Sequence, residues 1–309
     1  VSLVLSFRNE EENLHELIRR LVNVFQNINY EYELIFINDA SSDNSLQLLL
    51  KYKKVYQNIK IINMSRRFGS SACVIAGFSH SIGDAVIYMD VDLQDPPEII
   101  PELIENWEAG FDVVHTTRTK RKGENFIRLW LTDKAYKIIR FFADIEILQN
   151  TGDFKLLSKR AVEAILSLEE DDPFLRGLSS WVGFKQTQVF YVRDARFAGT
   201  TKFPGWISGT SFKEFLRGLS SFSSIPLYFA LFLGFIVSFS AFIYLVFIVI
   251  SRFFLGMHLP GWPALMVTML FLGGTILFTI GILGIYIGKI YQDVKNRPKY
   301  IVDNKIGFQ

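Results

Sequence analysis

Two carboxylates, Asp90 and Asp92, close the run Ala-Val-Ile-Tyr-Met-Asp-Val-Asp-Leu-Gln-Asp between Ala85 and Asp95. Their i, i+2 spacing puts both side chains on one face of an extended strand. Just past the strand end they can converge on one hard cation. Magnesium or manganese takes such oxygen ligands and shares its other positions with water and substrate phosphates. The run therefore suggests a metal–diphosphate site at the carboxyl end of a buried strand, where open α/β sheets bind ligands. Two acids after a strand also serve as plain solvated turn residues, so the pair needs support from the rest of the chain.

Other reactive side chains sit at similar places. Asp39 closes a second apolar run, in Ile37-Asn38-Asp39-Ala40-Ser41-Ser42-Asp43. An acid there can accept hydrogen bonds from a base or ribose, while Asp43 caps a helix and Ser41–Ser42 turn the chain. In Asn9-Glu10-Glu11, Glu11 complements the dipole of a following helix, and Glu10 is either structural or faces a nucleotide. Arg66-Arg67-Phe68-Gly69 precedes a helix start. Two arginines beside free backbone N–H groups make an anion site, or else a solvated basic turn. Asp153 lies in Asn150-Thr151-Gly152-Asp153-Phe154-Lys155, an acid after a glycine in a stretch bounded by helices. Glycine there admits close backbone approach, and Asp153 could orient an acceptor, act as a base, or be structural. Arg193, Arg196 and Lys202 surround Phe197-Ala198-Gly199-Thr200-Thr201. This small cationic loop suits closure over a diphosphate or lipid phosphate, though basic residues also gather beside membranes for topology alone.

These residues need a frame. Strand signals fall at Val1–Phe7, Leu34–Asn38, Lys60–Asn63, Ala85–Asp90 and Asp112–His115. Helix signals alternate with them at Glu11–Phe25, Ser45–Tyr56, Ser70–His80 and from Pro97 onward, where proline is tolerated. Such alternation predicts an α/β fold with a mostly parallel sheet covered by helices. Residues 120 to 225 are less regular. Ile127, Trp130, Leu131, Ala135, Ile138, Ile139 and Phe142 recur at helical spacing, on a helix facing either the core or a membrane surface. Phe212, Phe215, Leu216, Leu219 and Phe222 form a second stripe, read as an interfacial helix over 208–224.

The chain has 309 residues, a formal charge of +2, 29 phenylalanines and a single cysteine. Near-neutral charge gives no case for nucleic acid. Cys73 alone allows no internal disulfide, fits a reducing compartment and reads as a small buried side chain. Pro226 to Ile250 is 25 residues without a charge, and Leu259 to Gly288 is 30 more. A bilayer-spanning helix needs about 20. Two spans are expected, over 225–251 and 263–288, joined by a turn over 252–262 and followed by a tail over 289–309. Lys202, Lys213 and Arg217 precede the first span, and Lys289, Lys295, Arg297, Lys299 and Lys305 follow the second, against Arg252 in the turn. The positive-inside rule then puts residues 1–207, as a catalytic domain, and both termini in the cytoplasm. No signal peptide precedes the first strand, and the start at Val1 rather than Met suggests that a few residues are missing.

Taken in order, Asn9-Glu10-Glu11, Asp39 to Asp43, Arg66 to Gly69, Asp90-Val91-Asp92-Leu93-Gln94-Asp95-Pro96-Pro97-Glu98, Gly152-Asp153-Phe154-Lys155 and Arg196-Phe197-Ala198-Gly199-Thr200-Thr201-Lys202, then two spans, resemble a known family. The chain looks like the family-2, GT-A-fold polyisoprenyl-phosphate glycosyltransferases. It is similar to dolichol-phosphate mannosyltransferase and closer to bacterial bactoprenol (undecaprenyl-phosphate) glucosyltransferases. The resemblance implies a Rossmann-like GT-A domain with a C-terminal two-helix transmembrane hairpin. It implies that Asp39 binds the uracil or ribose side of the donor, beside Glu10 and Arg66. Asp90, Asp92 and Gln94 would hold Mg2+ or Mn2+ and the donor diphosphate. Asp153 would sit at the reacting centre. Arg118, Arg128, Arg196 and Lys202 would meet the lipid phosphate, with Arg176 on an acceptor-side helix, Phe174-Leu175-Arg176-Gly177 through Trp181. A homo-oligomer, a tetramer in bacterial relatives, is a further expectation. The chain departs from the family pattern at Arg8, Arg67, Lys155 and Ile285, none of them an implied metal ligand.

The reaction so implied joins a hexose, glucose first, from a UDP-sugar to polyprenyl phosphate with inversion. The product is a lipid-linked sugar for glycan or O-antigen modification, made in the bacterial inner membrane. An acceptor phosphate with a second pKa of about 6 is already largely a dianion, so orientation matters more than a strong base. Rival donors are GDP-mannose and a UDP-amino-arabinose derivative. A processive synthase would carry Gln-x-x-Arg-Trp and more spans. A non-enzymatic, membrane-anchored nucleotide-binding component would leave the paired aspartates unexplained.

Overall fold

A computed structural model describes residues 1–121, 151–168, 170, 173–193, 225–253 and 261–308. The chain divides into two compact units, one of residues 1–221 with 296–309, the other of residues 222–295.

The first unit begins β1 (Ser2–Phe7), α1 (Glu11–Gln26), β2 (Glu33–Asn38), α2 (Ser45–Val55), β3 (Ile59–Met64), α3 (Ser70–His80) and β4 (Ala85–Asp90). A 3-10 turn (Pro97–Ile99) leads into α4 (Ile100–Glu108), then β5 (Val113–Arg121), β6 (Thr151–Ser158), α5 (Lys159–Leu166), α6 (Leu175–Trp181) and β7 (Gln186–Arg193). β8 (Val302–Ile306) returns to this unit from the far end of the chain. One eight-stranded sheet results, ordered β7-β5-β6-β4-β1-β2-β3-β8.

β3, β2, β1 and β4 run parallel, as the alternating pattern predicts. Beyond them the sheet is mixed. β6 is antiparallel to both β4 and β5, and β8 is antiparallel to β3. The four parallel strands are buried nearly throughout because both faces are covered. Successive side chains therefore enter different cores. Leu3, Leu5 and Phe36 pack with Leu14, Leu17 and Leu21 of α1. Val4, Ile35 and Ile37 pack with Val74 and Ile75 of α3. α3 lies so close that a Cβ on Gly77 would strike Val4 and come within 3.0 Å of Ile37 Cδ1.

One expectation needs correction. The Gly152–Lys155 segment, expected between helices, belongs to strand β6, which α5 follows directly. Glycine and polar residues hide it from strand propensity, and pairing on both sides supplies the burial that propensity lacks. Within the tail, Val302–Ile306 forms the edge strand on β3. Its central Asp-Asn-Lys has little strand signal, yet charged residues suit a sheet edge.

The second unit holds α7 (Ile225–Phe253) and α8 (Gly261–Val294), which pack on each other, Phe229 edge-on to Phe278. Two stretches, Pro226–Tyr244 and Leu265–Val294, are long and apolar enough to cross a membrane, and at most 11% of either is buried. Their exposed leucines and phenylalanines make apolar surfaces of the kind that suit hydrocarbon. α8 runs past Gly288 to Val294, further than the expected span. The expected helices over 127–142 and 208–224 lie outside the described residues.

Candidate functional site

The parallel strands deliver their carboxyl ends to one edge of the sheet, and the chain turns sharply there. Asn9 (φ 53°), Ala40 (φ 52°) and Leu93 (φ 58°) follow β1, β2 and β4 in the left-handed region. Backbone of this kind costs energy outside glycine and concentrates at functional sites.

Asp90 ends β4 and accepts a hydrogen bond from the Tyr88 hydroxyl at 3.2 Å. Two residues on, Asp92 is buried, and its Oδ1 accepts from the Gln94 backbone N–H at 3.2 Å. Asp95 is 1% exposed. It accepts from the Tyr191 hydroxyl and lies 3.5 Å from Arg118 Nη2, while Arg118 Nε donates to Tyr191 Oη at 2.9 Å. Asp153 on β6 faces this group, held by two nitrogens of Arg176, Nε donating to Oδ1 at 2.7 Å and Nη2 to Oδ2. Lys155, also buried, donates to Ser179 Oγ at 2.8 Å.

The charges interact strongly. Burial, then the carboxylates of Asp153, Asp92 and Asp95, push Asp90 up to about 7. Burial also acts to raise Asp153, but Arg176, Lys155 and Arg118 outweigh it and hold Asp153 below the usual carboxylate range. Burial lowers Lys155 to about 8 despite Asp153 beside it. His115, its cross-strand partner, is lowered to about 4 by burial and by Lys155, and so stays neutral at pH 7.

Asp153 is paired with Arg176 and Asp95 lies beside Arg118, which leaves Asp90 and Asp92 as the acids whose mutual repulsion a divalent cation would relieve. The oxygen donors of Asp90 and Asp92, with the Gln94 amide nearby, suit a hard cation that completes its shell with water and phosphate. They do not make an all-protein cage. Among the described residues no three His, Cys, Asp or Glu side chains converge to hold a metal.

On the other side of β1, Asp39 follows directly on β2 and is buried. Its carboxylate accepts the N–H groups of Phe68 at 2.6 Å and Gly69 at 3.1 Å. The anion expected at this helix start is thus at least partly supplied by the protein itself. A carboxylate one strand away reaches those groups without the entropy cost of a ligand. Arg66 instead stacks on Phe68, its guanidinium carbon 4.0 Å from the ring centroid, and donates to the Arg67 carbonyl at 3.0 Å. Cys73 sits behind, its thiol pushed up by burial and by Asp39. Glu10 accepts from Asn13 Nδ2 at 2.7 Å, and Glu11 accepts from the Asn44 N–H at 3.2 Å. Asp43 Oδ1 receives the Ser45 N–H at 3.1 Å.

The structure therefore brings Asp90, Asp92, Gln94, Asp153, Arg118 and Arg176 together, with Glu10, Asp39 and Arg66 on the neighbouring strand ends. Arg118 and Arg176, implied as phosphate ligands, already hold Asp95 and Asp153. Arg128, Arg196 and Lys202 lie outside the described residues. Sequence reasoning assigned no role to Tyr88, Asp95, Tyr191 or Ser179. Tyr88 and Asp95 flank the aspartate pair and were within reach of the strand pattern. Tyr191 and Ser179 arrive through pairings that no local signal marks.

A family model described as Glycosyl transferase family 2 matches residues 2–166. The Bacillus subtilis (strain 168) protein named uncharacterized glycosyltransferase YkcC is 40% identical over 308 residues, covering 100% of this chain and 94% of that one. The SfII prophage-derived bactoprenol glucosyl transferase of Shigella flexneri is 40% identical over 303 residues, covering 98% and 97%. A crystal structure of S. aureus TarS 1–349 in complex with UDP-GlcNAc is 15% identical with a TM-score of 0.47, over 71% of this chain and 65% of that one. A family match over more than half the chain, and relatives this similar along its whole length, mean that the chain belongs to glycosyl transferase family 2, its mixed α/β sheet having the GT-A fold.

Proposed function

We propose that this glycosyltransferase moves a hexose, glucose, from a UDP-sugar to polyprenyl phosphate at the cytoplasmic face of a bacterial membrane, with inversion. The acidic cluster at the carboxyl end of β4 carries the reading, because Asp90 and Asp92 suit a cation-bound diphosphate. The bactoprenol names of full-length relatives and the two apolar helices of this chain support the lipid acceptor. A soluble donor and a bilayer-held acceptor can meet only at the interface, which explains a catalytic sheet and an apolar hairpin in one chain.

Asp90 and Asp92, with Gln94, would hold Mg2+ or Mn2+, which when bound supplies charge neutralisation to the departing diphosphate. Asp39 and Glu10 face the nucleoside, and Arg66 the donor phosphates. Asp153 orients the acceptor. Its depressed pKa makes it a poor base at pH 7, and a phosphate dianion needs none. Arg176 holds Asp153 and, with Arg118, Arg128, Arg196 and Lys202, offsets the approach of two anions. The hairpin would lie with both its ends on the cytoplasmic side.

The test is transfer from radiolabelled UDP-glucose, UDP-N-acetylglucosamine, GDP-mannose and UDP-amino-arabinose onto undecaprenyl phosphate. Purified full-length protein is used with and without EDTA, beside Asp92→Asn. EDTA-sensitive lipid labelling from UDP-glucose alone is expected. Labelling from another donor corrects the sugar. No labelling from any donor by folded protein with metal present overturns the reading.

A further inference from the structure

Three asparagines stand in register across the sheet edge. Asn38 ends β2, Asn63 lies opposite it on β3, and Asn304 lies opposite Asn63 on β8. Asn38 Nδ2 donates to Asn63 Oδ1 at 3.0 Å, and Asn63 Nδ2 donates to Asn304 Oδ1 at 2.7 Å. Asn304 Nδ2 then donates to the Asp303 carboxylate at 2.8 Å. At the other end, Asn38 Oδ1 accepts the Ser41 backbone N–H at 2.9 Å. The run is a head-to-tail chain, from Ser41 N–H through three amides to a carboxylate.

Both termini fix its direction. A backbone N–H can only donate and a carboxylate can only accept, so no amide can be flipped without breaking a bond. Asn38 and Asn63 are buried, at 5% and 6% exposure, so their amides need these partners. Adjacent strand residues normally face opposite sides. Here the pairing skips Asp303, with Asn63 opposite Asn304 and Met64 opposite Val302. A bulge of this kind re-aims a side chain, and it lets Asp303 reach Asn304. The N–H held by the chain belongs to the turn after Asp39, where Ala40 is in the left-handed region and Ser41 Oγ accepts the Asn9 N–H at 3.1 Å. Aligned amide dipoles polarise one another and stiffen the whole run.

We infer that the C-terminal strand is a positioning element for the donor site: Asn304, through Asn63 and Asn38, holds the 39–42 turn in its nucleotide-binding shape. This rests on the reading of Asp39 as a donor ligand. It gives the segment after the membrane hairpin a part in substrate binding rather than a passive end.

The experiment uses the full chain in detergent with three variants. Asn304→Ala removes the acceptor of Asn63. The double variant Asp303→Asn/Asn304→Asp exchanges the last two groups, which reverses the last bond and restores an acceptor for Asn63. Lys305→Ala trims the same strand outside the chain of amides. Hydrogen exchange over residues 38–44 is measured without ligand, and UDP binding with Mn2+ by calorimetry. Asn304→Ala should speed exchange there, weaken UDP about fivefold, the worth of one hydrogen bond, and raise the donor KM with kcat within twofold. The double variant should recover all three, and Lys305→Ala should leave them unchanged. Unchanged exchange in Asn304→Ala overturns the inference, as does faster exchange with unaltered UDP affinity, or equal effects from Lys305→Ala. If wild type binds no UDP while exchange still responds to Asn304→Ala and recovers in the double variant, the donor reading fails and the mechanical link stands.

Discussion

Asp90→Asn should stabilise the metal-free protein while abolishing transfer. Burial and three neighbouring acids carry the Asp90 carboxyl from 3.8 to about 7. A raised carboxyl pKa means that the folded state binds more protons than the unfolded one between those values, so stability falls as pH rises. The penalty is absent below about pH 4, grows toward pH 7 and is complete above it. At about 1.4 kcal/mol per pH unit the ceiling is about 4 kcal/mol. Water reaching this half-buried site screens part of that, leaving about 1–3 kcal/mol. Asparagine is isosteric, carries no charge and keeps an oxygen for the Tyr88 hydroxyl. In EDTA at pH 8 the variant should melt about 3–8 °C above wild type, and near pH 4 the two should coincide. Mn2+ should raise the melting temperature of wild type and leave the variant nearly unmoved, because the cation relieves the repulsion that the substitution has already removed. Scanning fluorimetry of detergent-solubilised protein from pH 4 to 8 reads all of this. A variant less stable than wild type at pH 8, or a difference independent of pH, would refute the electrostatic account of the cluster.

Arg176→Ala leaves Asp153 without its bidentate partner, so its carboxyl rises toward the ordinary range. Transfer should fall at least tenfold, and the protein should lose about 1–2 kcal/mol at pH 7, with the loss starting to shrink as pH falls through the ordinary carboxylate range, where Asp153 takes a proton in the variant and in the unfolded chain while Arg176 keeps the wild-type carboxyl ionised. Urea unfolding at pH 7 and pH 3 separates these. Tyr191→Phe removes the hydroxyl that joins Asp95 to Arg118 and should cost about 1 kcal/mol of stability, with a raised metal requirement seen by titrating Mn2+ in the transfer assay. Gly77→Ala drives a methyl into Val4 and should destabilise the catalytic unit by about 1–3 kcal/mol. Calorimetry would show that loss with the donor KM of the surviving folded fraction unchanged.

What could be read in advance follows the range of the forces. β1, β2 and β4 are largely apolar runs closed by polar turns, so their ends, and with them the positions of Asp39, Asp90 and Asp92, follow from local pattern. Ser70–His80 was found to the residue for the same reason. β6 was not, because Thr151, Gly152, Asp153 and Lys155 carry no strand pattern and depend on two neighbours for their burial. The pairing of Asp153 with Arg176 and of Asp95 with Tyr191 spans 23 and 96 residues of sequence. Neither partner announces the other, yet together they decide which acid stays ionised and which is pushed toward neutrality. The edge strand shows the same limit more sharply. Asn63 and Asn304 are 241 residues apart, and Asp-Asn-Lys carries little strand pattern of its own. Only the vacant edge of β3 turns it into a strand, and only a bulge brings Asp303 round to close the amide chain. The residues that bear reactive charge were therefore legible one at a time, while their protonation states and their rigidity belong to contacts that exist only after the sheet has closed.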